Sequence, residues 1–127
     1  ESSMDKKIIT SAGIRPAGPY SPAVEAGGFV FLSGQVATDP TTGKLIMEIE
    51  PACRRLLENI RAFLEEIGLS LDHVVKTTVF LKDMNDFPVM NKIYADFFPE
   101  SPPARSTVEV SNLPGGAPLE IELIALR

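Results

Sequence analysis

Arg105 is the residue in this chain best placed by type and context to hold a carboxylate. It follows Ser101-Pro102-Pro103-Ala104 at the start of an extended stretch. Strand alternation puts it on one side with Thr107 and Glu109. A guanidinium on a rigid strand donates two parallel hydrogen bonds to a carboxylate and stays charged. The same position also suits an ordinary ion pair with Glu109 or with an acid of the last strand. Glu120 and Glu122 share a face with Ile124 and Leu126. A carboxylate on a covered, partly apolar face has a raised pKa and passes protons near neutral pH. At an exposed strand end, the same two residues would simply be solvated.

Other polar residues are weaker candidates by themselves. Tyr20 lies in Gly18-Pro19-Tyr20-Ser21-Pro22, where flanking prolines stiffen the loop and either present the phenol to a pocket or pack it onto the body. Ser33-Gly34-Gln35 ends an apolar run, either as a plain strand terminus or as a place where Gly34 allows a ligand close to the backbone. Asn91 sits near the start of an expected helix, as a ligand contact or a surface residue. Cys53 and His73 are the lone residues of their types, so no intrachain disulfide forms and an intrachain zinc site of the common kind is not expected. Cys53 falls on an apolar helix stripe and reads as core; His73 reads as a boundary residue.

Composition narrows the partners. The 127 residues suit one domain over 1–127. Met4 reads as a natural start, with residues 1–3 an expression remnant. No apolar run is long enough to span a bilayer, so no membrane partner is expected. The 12 Lys and Arg are scattered and outnumbered by 17 Asp and Glu, giving a net charge of −5. Nucleic-acid binding needs clustered cations, so nucleic acid is not expected as the main partner. The single cysteine suits a reducing compartment, cytoplasmic or organellar.

The elements that must position these residues follow from periodicity. Residues 11–28 read as a Gly/Pro/Ser/Ala-rich loop with a short strand near Val24–Ala26, and Phe29–Val36 as a buried strand. Asp39-Pro40-Thr41-Thr42-Gly43 is a turn between extended segments. Cys53, Leu56, Leu57, Ile60, Phe63, Leu64 and Ile67 recur at helical spacing over 51–67, with Pro51 in the first turn and Gly68 as the C-terminal cap. Val74–Lys82 reads as a strand. A second helix is expected after Asp86 as its cap, with Pro88 in its first turn, Met90, Ile93, Tyr94 and Phe97 inward, and Pro99 as its stop. Ala104–Val110 and Pro118–Leu126 close the chain as strands. The order β-β-β-α-β-α-β-β defines an α+β domain with two helices on one face of a mixed sheet. Strict alternation in 74–82 puts Val75, Thr77, Val79 and Leu81 on one side, and Val74, Lys76, Thr78, Phe80 and Lys82 on the other. Two helices cover only one face, so the apolar residues on the second are expected to meet another subunit.

Gly18-Pro19-Tyr20-Ser21, Ser33-Gly34-Gln35, the run Lys76–Phe87, Pro103-Ala104-Arg105-Ser106 and Glu120-Ile121-Glu122 occur in that order. Together they resemble the Rid family, also called YjgF or UK114 proteins and often labelled endoribonuclease L-PSP, over nearly the whole chain from about Lys7. The resemblance implies a chorismate-mutase-like, YjgF-type fold. It also implies a homotrimer with a central barrel, sites in the clefts between subunits, and neither metal nor organic cofactor. The implied activity is hydrolysis of 2-enamino and 2-imino acids, 2-aminoacrylate and 2-aminocrotonate, to 2-oxo acids and ammonia. Arg105 would bind the substrate carboxylate, the backbone of Gly34 and Thr107 would line the pocket, and Glu120 would activate water. Tyr20, Asn91 and Ser33 would complete the cleft. The family's deaminase branch has Cys at the position of Thr107, for which a backbone or packing role is expected. The family label also raises a ribonuclease or translation inhibitor. A trimer that only captures small carboxylates would need Arg105 but not Glu120.

Overall fold

The structure, a computed structural model, describes residues 5–127; the start expected at Met4 and the remnant before it lie outside the described residues. Six strands form one sheet: β1 (Lys7–Ile9), β2 (Ala23–Ala26), β3 (Phe29–Val36), β4 (Val74–Leu81), β5 (Ala104–Glu109) and β6 (Leu119–Leu126), in the spatial order β1-β2-β3-β6-β4-β5. β4 and β5 run parallel, and the other neighbours are antiparallel. The two longer helices are α1 (Ile49–Glu66) and α2 (Phe87–Phe97). The parallel pair is the one joined through α2, as a crossover connection requires.

α1 buries Ala52, Cys53, Leu56, Leu57, Ile60, Phe63 and Leu64, which is the expected stripe extended by Ala52, with Ile67 only partly covered. The helix starts at Ile49 rather than Pro51. Its C-terminal end turns at Gly68, whose φ of 85° is one that an L-residue rarely adopts. α2 buries Met90, Ile93, Tyr94 and Phe97, as its spacing predicts. Asp86 occupies the N-cap position of α2 but makes no side-chain capping bond. A short 3-10 turn, Met84–Asp86, runs into the helix, so Asp86 already has helical dihedrals; Asp83 caps instead, its Oδ1 accepting from the Asn85 N–H at 2.9 Å.

Two extended segments differ from their reading. The turn at Asp39 forms, with Asp39 Oδ1 accepting from the N–H groups of Thr41 (2.7 Å) and Thr42 (3.2 Å). The chain beyond it makes only an isolated bridge between Thr38 and Leu45, and the additional short strand is Lys7–Ile9 at the sheet edge. In β4 a register irregularity between Val74 and Lys76 breaks strict alternation. Val74 is 5% exposed and Val75 41%, the reverse of simple alternation, because a bulge shifts side chains to the other face. From Thr77 onward the expected sides hold.

The core lies between the helices and one sheet face, where Val30, Leu32, Val79, Leu81, Ile121 and Leu123 are buried. On the other face Ile8, Phe29, Phe31, Val108 and Leu126 are exposed in this chain. Register aligns Ile8, Val24, Phe31 and Ile124 in one row across four strands. Leu64→Ala, in the centre of the covered layer, is expected to cost roughly 2–5 kcal/mol of stability without changing the fold, measured by urea denaturation.

Candidate active site

Arg105 lies on β5, beside Thr77 of β4, which in turn pairs with Leu123 of β6. Thr77 and Leu123 are buried under the helices, so Arg105 projects from the helix-covered side at the sheet edge. There its Cζ lies 4.7 Å from the centroid of the Tyr94 ring and 5.6 Å from that of Phe87. Among the described residues it makes no ion pair and no hydrogen bond through its side chain. The ion pair with Glu109 that the sequence left open does not form: a Glu109 oxygen accepts instead from the Met84 N–H at 2.7 Å. The half-buried guanidinium is therefore stabilised by ring faces, and its N–H groups remain open to a ligand.

Asn91 and Thr107 belong to this half of the site. Phe87, Asn91 and Tyr94 follow i, i+4, i+7 spacing on α2, so Asn91 lies on the stripe whose two rings hold Arg105. Asn91 itself is exposed. Thr107 lies two positions beyond Arg105 on the same side of β5, paired with Val79. Its Oγ1 is buried and has no hydrogen-bond partner among the described residues. The hydroxyl is thus no part of a nucleophile–base pair.

Glu120 is on the opposite side of the sheet. It pairs with Phe80 and Val36, between the inward-facing Leu119 and Ile121. Its carboxyl packs over Gly34: a Cβ built there would lie 2.7 Å from Glu120 Cδ and would overlap the carboxylate oxygen. Gly34 sits in the bulge where the β3–β6 register shifts between Leu32 and Gln35. Ser33 ties the preceding loop to this point, its Oγ donating to Ser21 O at 2.6 Å and its N–H to Pro22 O at 2.9 Å. Tyr20 is 49% exposed at the loop's tip, and its hydroxyl oxygen accepts from the Ala17 N–H at 3.2 Å. Burial, then repulsion from Glu122, raises the Glu120 pKa above the ordinary carboxylate value. The raised value expected of this carboxyl is found, while Glu122 is exposed.

One chain thus groups the residues singled out from sequence into two halves: Arg105, Asn91 and Thr107 on the helix side, and Glu120, Gly34, Ser33 and the Tyr20 loop on the other. It does not bring the two halves together. Cys53 is buried in the core, and desolvation pushes its thiol up to about 12, which removes it as a nucleophile. His73 accepts at Nδ1 from the Ser70 N–H in a capping box ahead of β4 and is exposed there. No cluster of three or more metal-ligating side chains occurs among the described residues. The partners of Arg105, Phe87 and Tyr94, were read from sequence only as part of a motif and as core; their helical spacing with Asn91 was the available signal.

The endoribonuclease L-PSP family profile matches residues 10–127. A RutC family protein of Pyrococcus horikoshii is 50% identical over 125 residues, covering 98% of this chain and 99% of its own. The 2-iminobutanoate/2-iminopropanoate deaminase of Salmonella typhimurium is 44% identical over 127 residues, covering 98% of this chain and 99% of its own. The crystal structure of Escherichia coli TdcF with bound serine superposes with a TM-score of 0.87 at 41% identity, covering 95% of this chain and 98% of that one. The chain belongs to the Rid family, the YjgF or endoribonuclease L-PSP proteins, and has their mixed α+β fold.

Gly34→Ala is expected to displace the Glu120 carboxyl toward solvent and to lower its pKa toward the ordinary glutamate value, measured by NMR titration of its side-chain carbon. The folded Glu120 carboxyl holds its proton more tightly than an unfolded one. Its contribution to stability is therefore fully present below the ordinary carboxylate pKa and is lost as pH rises through the raised value. Glu120→Gln should remove that component from the pH dependence of urea midpoints.

Proposed function

We propose that this protein hydrolyses 2-imino acids, and the 2-enamino acids that tautomerise to them, to 2-oxo acids and ammonia. The observation that carries the reading is Arg105: a half-buried cation that has no acidic partner among the described residues and whose hydrogen-bond donors are unused by them. The name of the Salmonella relative and the serine bound by TdcF, itself a small amino carboxylate, support the same substrate class.

In this reading Arg105 grips the substrate carboxylate through two parallel hydrogen bonds, leaving the imine carbon one bond away and fixed in place. Protonation of the enamine at C3 and loss of an N–H proton give the imine. Water adds to C2 while Glu120 takes its proton and the imine nitrogen takes one from solvent, forming a carbinolamine. Glu120 then returns the proton to nitrogen, the C–N bond breaks, and ammonia leaves as the C2 hydroxyl gives its proton to solvent and becomes a carbonyl. A carboxyl with a raised pKa suits both directions of transfer near neutral pH. Thr107 serves through its backbone, and the reaction balances with water alone, without metal or cofactor.

Because Arg105 and Glu120 lie on opposite sides of one sheet, the proposed site takes its two halves from different copies. The apolar row Ile8, Val24, Phe31 and Ile124, with Phe29 and Leu126 beside it, offers the surface for that association, and we propose a homotrimer. No helix among the described residues is long and apolar enough to cross a membrane. The lone buried cysteine accords with a reducing setting, for which we propose the cytoplasm.

The test couples a serine or threonine dehydratase to catalytic amounts of the protein and follows loss of the enamine. Accelerated loss is expected, abolished in Arg105→Ala together with binding of 2-oxobutanoate, and abolished in Glu120→Gln with that binding largely kept. Enamine decay equal to the spontaneous rate, with 2-oxobutanoate still bound, would instead identify a small-carboxylate binder. Light scattering should give three times the chain mass; a monomer would remove the shared site.

A further inference from the structure

We infer that Tyr94, assisted by Phe87, is the positioning residue for Arg105, holding the guanidinium by its ring face so that every N–H donor stays free for the substrate. The inference rests on the reading of Arg105 as carboxylate receptor. A half-buried arginine needs compensation for lost hydration, and the usual partner is an acid. An acid would occupy the same in-plane N–H groups that a substrate carboxylate requires, and would compete with it. A ring attracts the cation through the ring's face, while the donors point outward in the guanidinium plane, so holding and binding use different directions.

The ring is itself held firmly. Tyr94 is buried, and its hydroxyl shares a 2.8 Å hydrogen bond with Thr77 Oγ1. Thr77 is 1% exposed and is the only polar residue in the buried set of described residues. It is also the residue directly beside Arg105 in the β4–β5 register. Phe98, just past the end of α2, packs against the tyrosine, its ring centroid 4.7 Å from that of Tyr94. Strand β4, strand β5 and helix α2 therefore meet in one contact set, and Tyr94 cannot swing away from Arg105 without leaving a buried hydroxyl unpaired. Phe87 closes the stripe two turns earlier, where Pro88 stiffens the first turn of α2. Burial also raises the Tyr94 pKa, keeping the phenol neutral wherever the enzyme would work.

The test measures 2-oxobutanoate binding by calorimetry alongside KM and kcat, and the Arg105 Nε–H resonance by NMR. Tyr94→Leu removes the ring. Binding and KM are expected to weaken about 10-fold, the scale of a partly desolvated cation–π contact, with kcat within about twofold. The Nε–H signal should move from a ring-shifted position toward that of a free arginine. Tyr94→Phe keeps the ring and should recover most of the binding and the shifted signal, which a merely structural hydroxyl role would not. Should Tyr94→Leu fail to fold, Phe87→Leu is read instead, with about a threefold loss of binding expected. A folded Tyr94→Leu protein (or Phe87→Leu in its place) that binds within twofold of wild type, or a wild-type Nε–H signal at the free-arginine position, would overturn the inference. If wild type binds 2-oxobutanoate but hydrolyses no imine, the proposed reaction fails while the binding ratios still decide the role of Tyr94. If wild type binds no carboxylate, the receptor reading fails and the NMR signal alone decides whether the rings hold Arg105.

Discussion

A charge at the edge of a core has to be compensated, and the way Arg105 is compensated shapes the rest of this protein. Its neighbours in the structure are the faces of Tyr94 and Phe87, and Glu109 on the same strand is engaged by the backbone of Met84. That arrangement leaves a fixed positive group with unused donors at a sheet edge. It also explains why α2 has to lie where it does. The helix is anchored to the sheet by the Thr77–Tyr94 hydrogen bond as well as by its apolar stripe, so the rings and the guanidinium share one frame.

The pleat imposes the second constraint. Residues of one strand alternate between faces, and the antiparallel β4–β6 pairing carries that alternation across the sheet. Thr77, Val79, Ile121 and Leu123 face the helices, which leaves Glu120 with Phe80 and Val108 on the far side. No side-chain rotation brings Glu120 round to Arg105. The apolar surface around Glu120 and the acid–base chemistry proposed for it are thus linked: in the proposed assembly, a second copy covering that face would bring in the other half of the site and would desolvate the carboxyl further. Gly34 is part of this geometry, since a larger residue in the β3 bulge would take the space the Glu120 carboxyl fills.

The remaining reactive side chains are spent on structure. Cys53 is sealed within the α1 stripe with its thiol pushed up to about 12, and His73 closes a capping box at the entrance to β4. The proposed chemistry therefore rests on one cation, one carboxyl and backbone groups. Such a set suits a reaction whose substrate already carries an electrophilic carbon.

Much of the fold was legible in the chain itself. The stripes of α1 and α2 were readable because helical packing selects apolar residues at a 3.6-residue period, and the buried residues match those stripes almost residue for residue. The strands around Arg105 and Glu120 were readable too; the two residues themselves were equally compatible with an ordinary ion pair and a solvated strand end, and stood out only through the ordered motifs that resemble the Rid family. Other features were decided only in three dimensions. The bulge that exposes Val75 depends on how β4 pairs with β6, not on local propensity. The bridge at Thr38 replaced a strand, and Asp83 replaced Asp86 as the cap, because the 3-10 turn at Met84 set where helical dihedrals begin. The choice of ring faces over Glu109 as the partner of Arg105 also came from packing, since residues far apart in the chain meet only when α2 settles on the sheet. Sequence determines which side chains are available and on which face of their own element; the contacts among elements decide which of them meet, because those distances are fixed by tertiary packing alone.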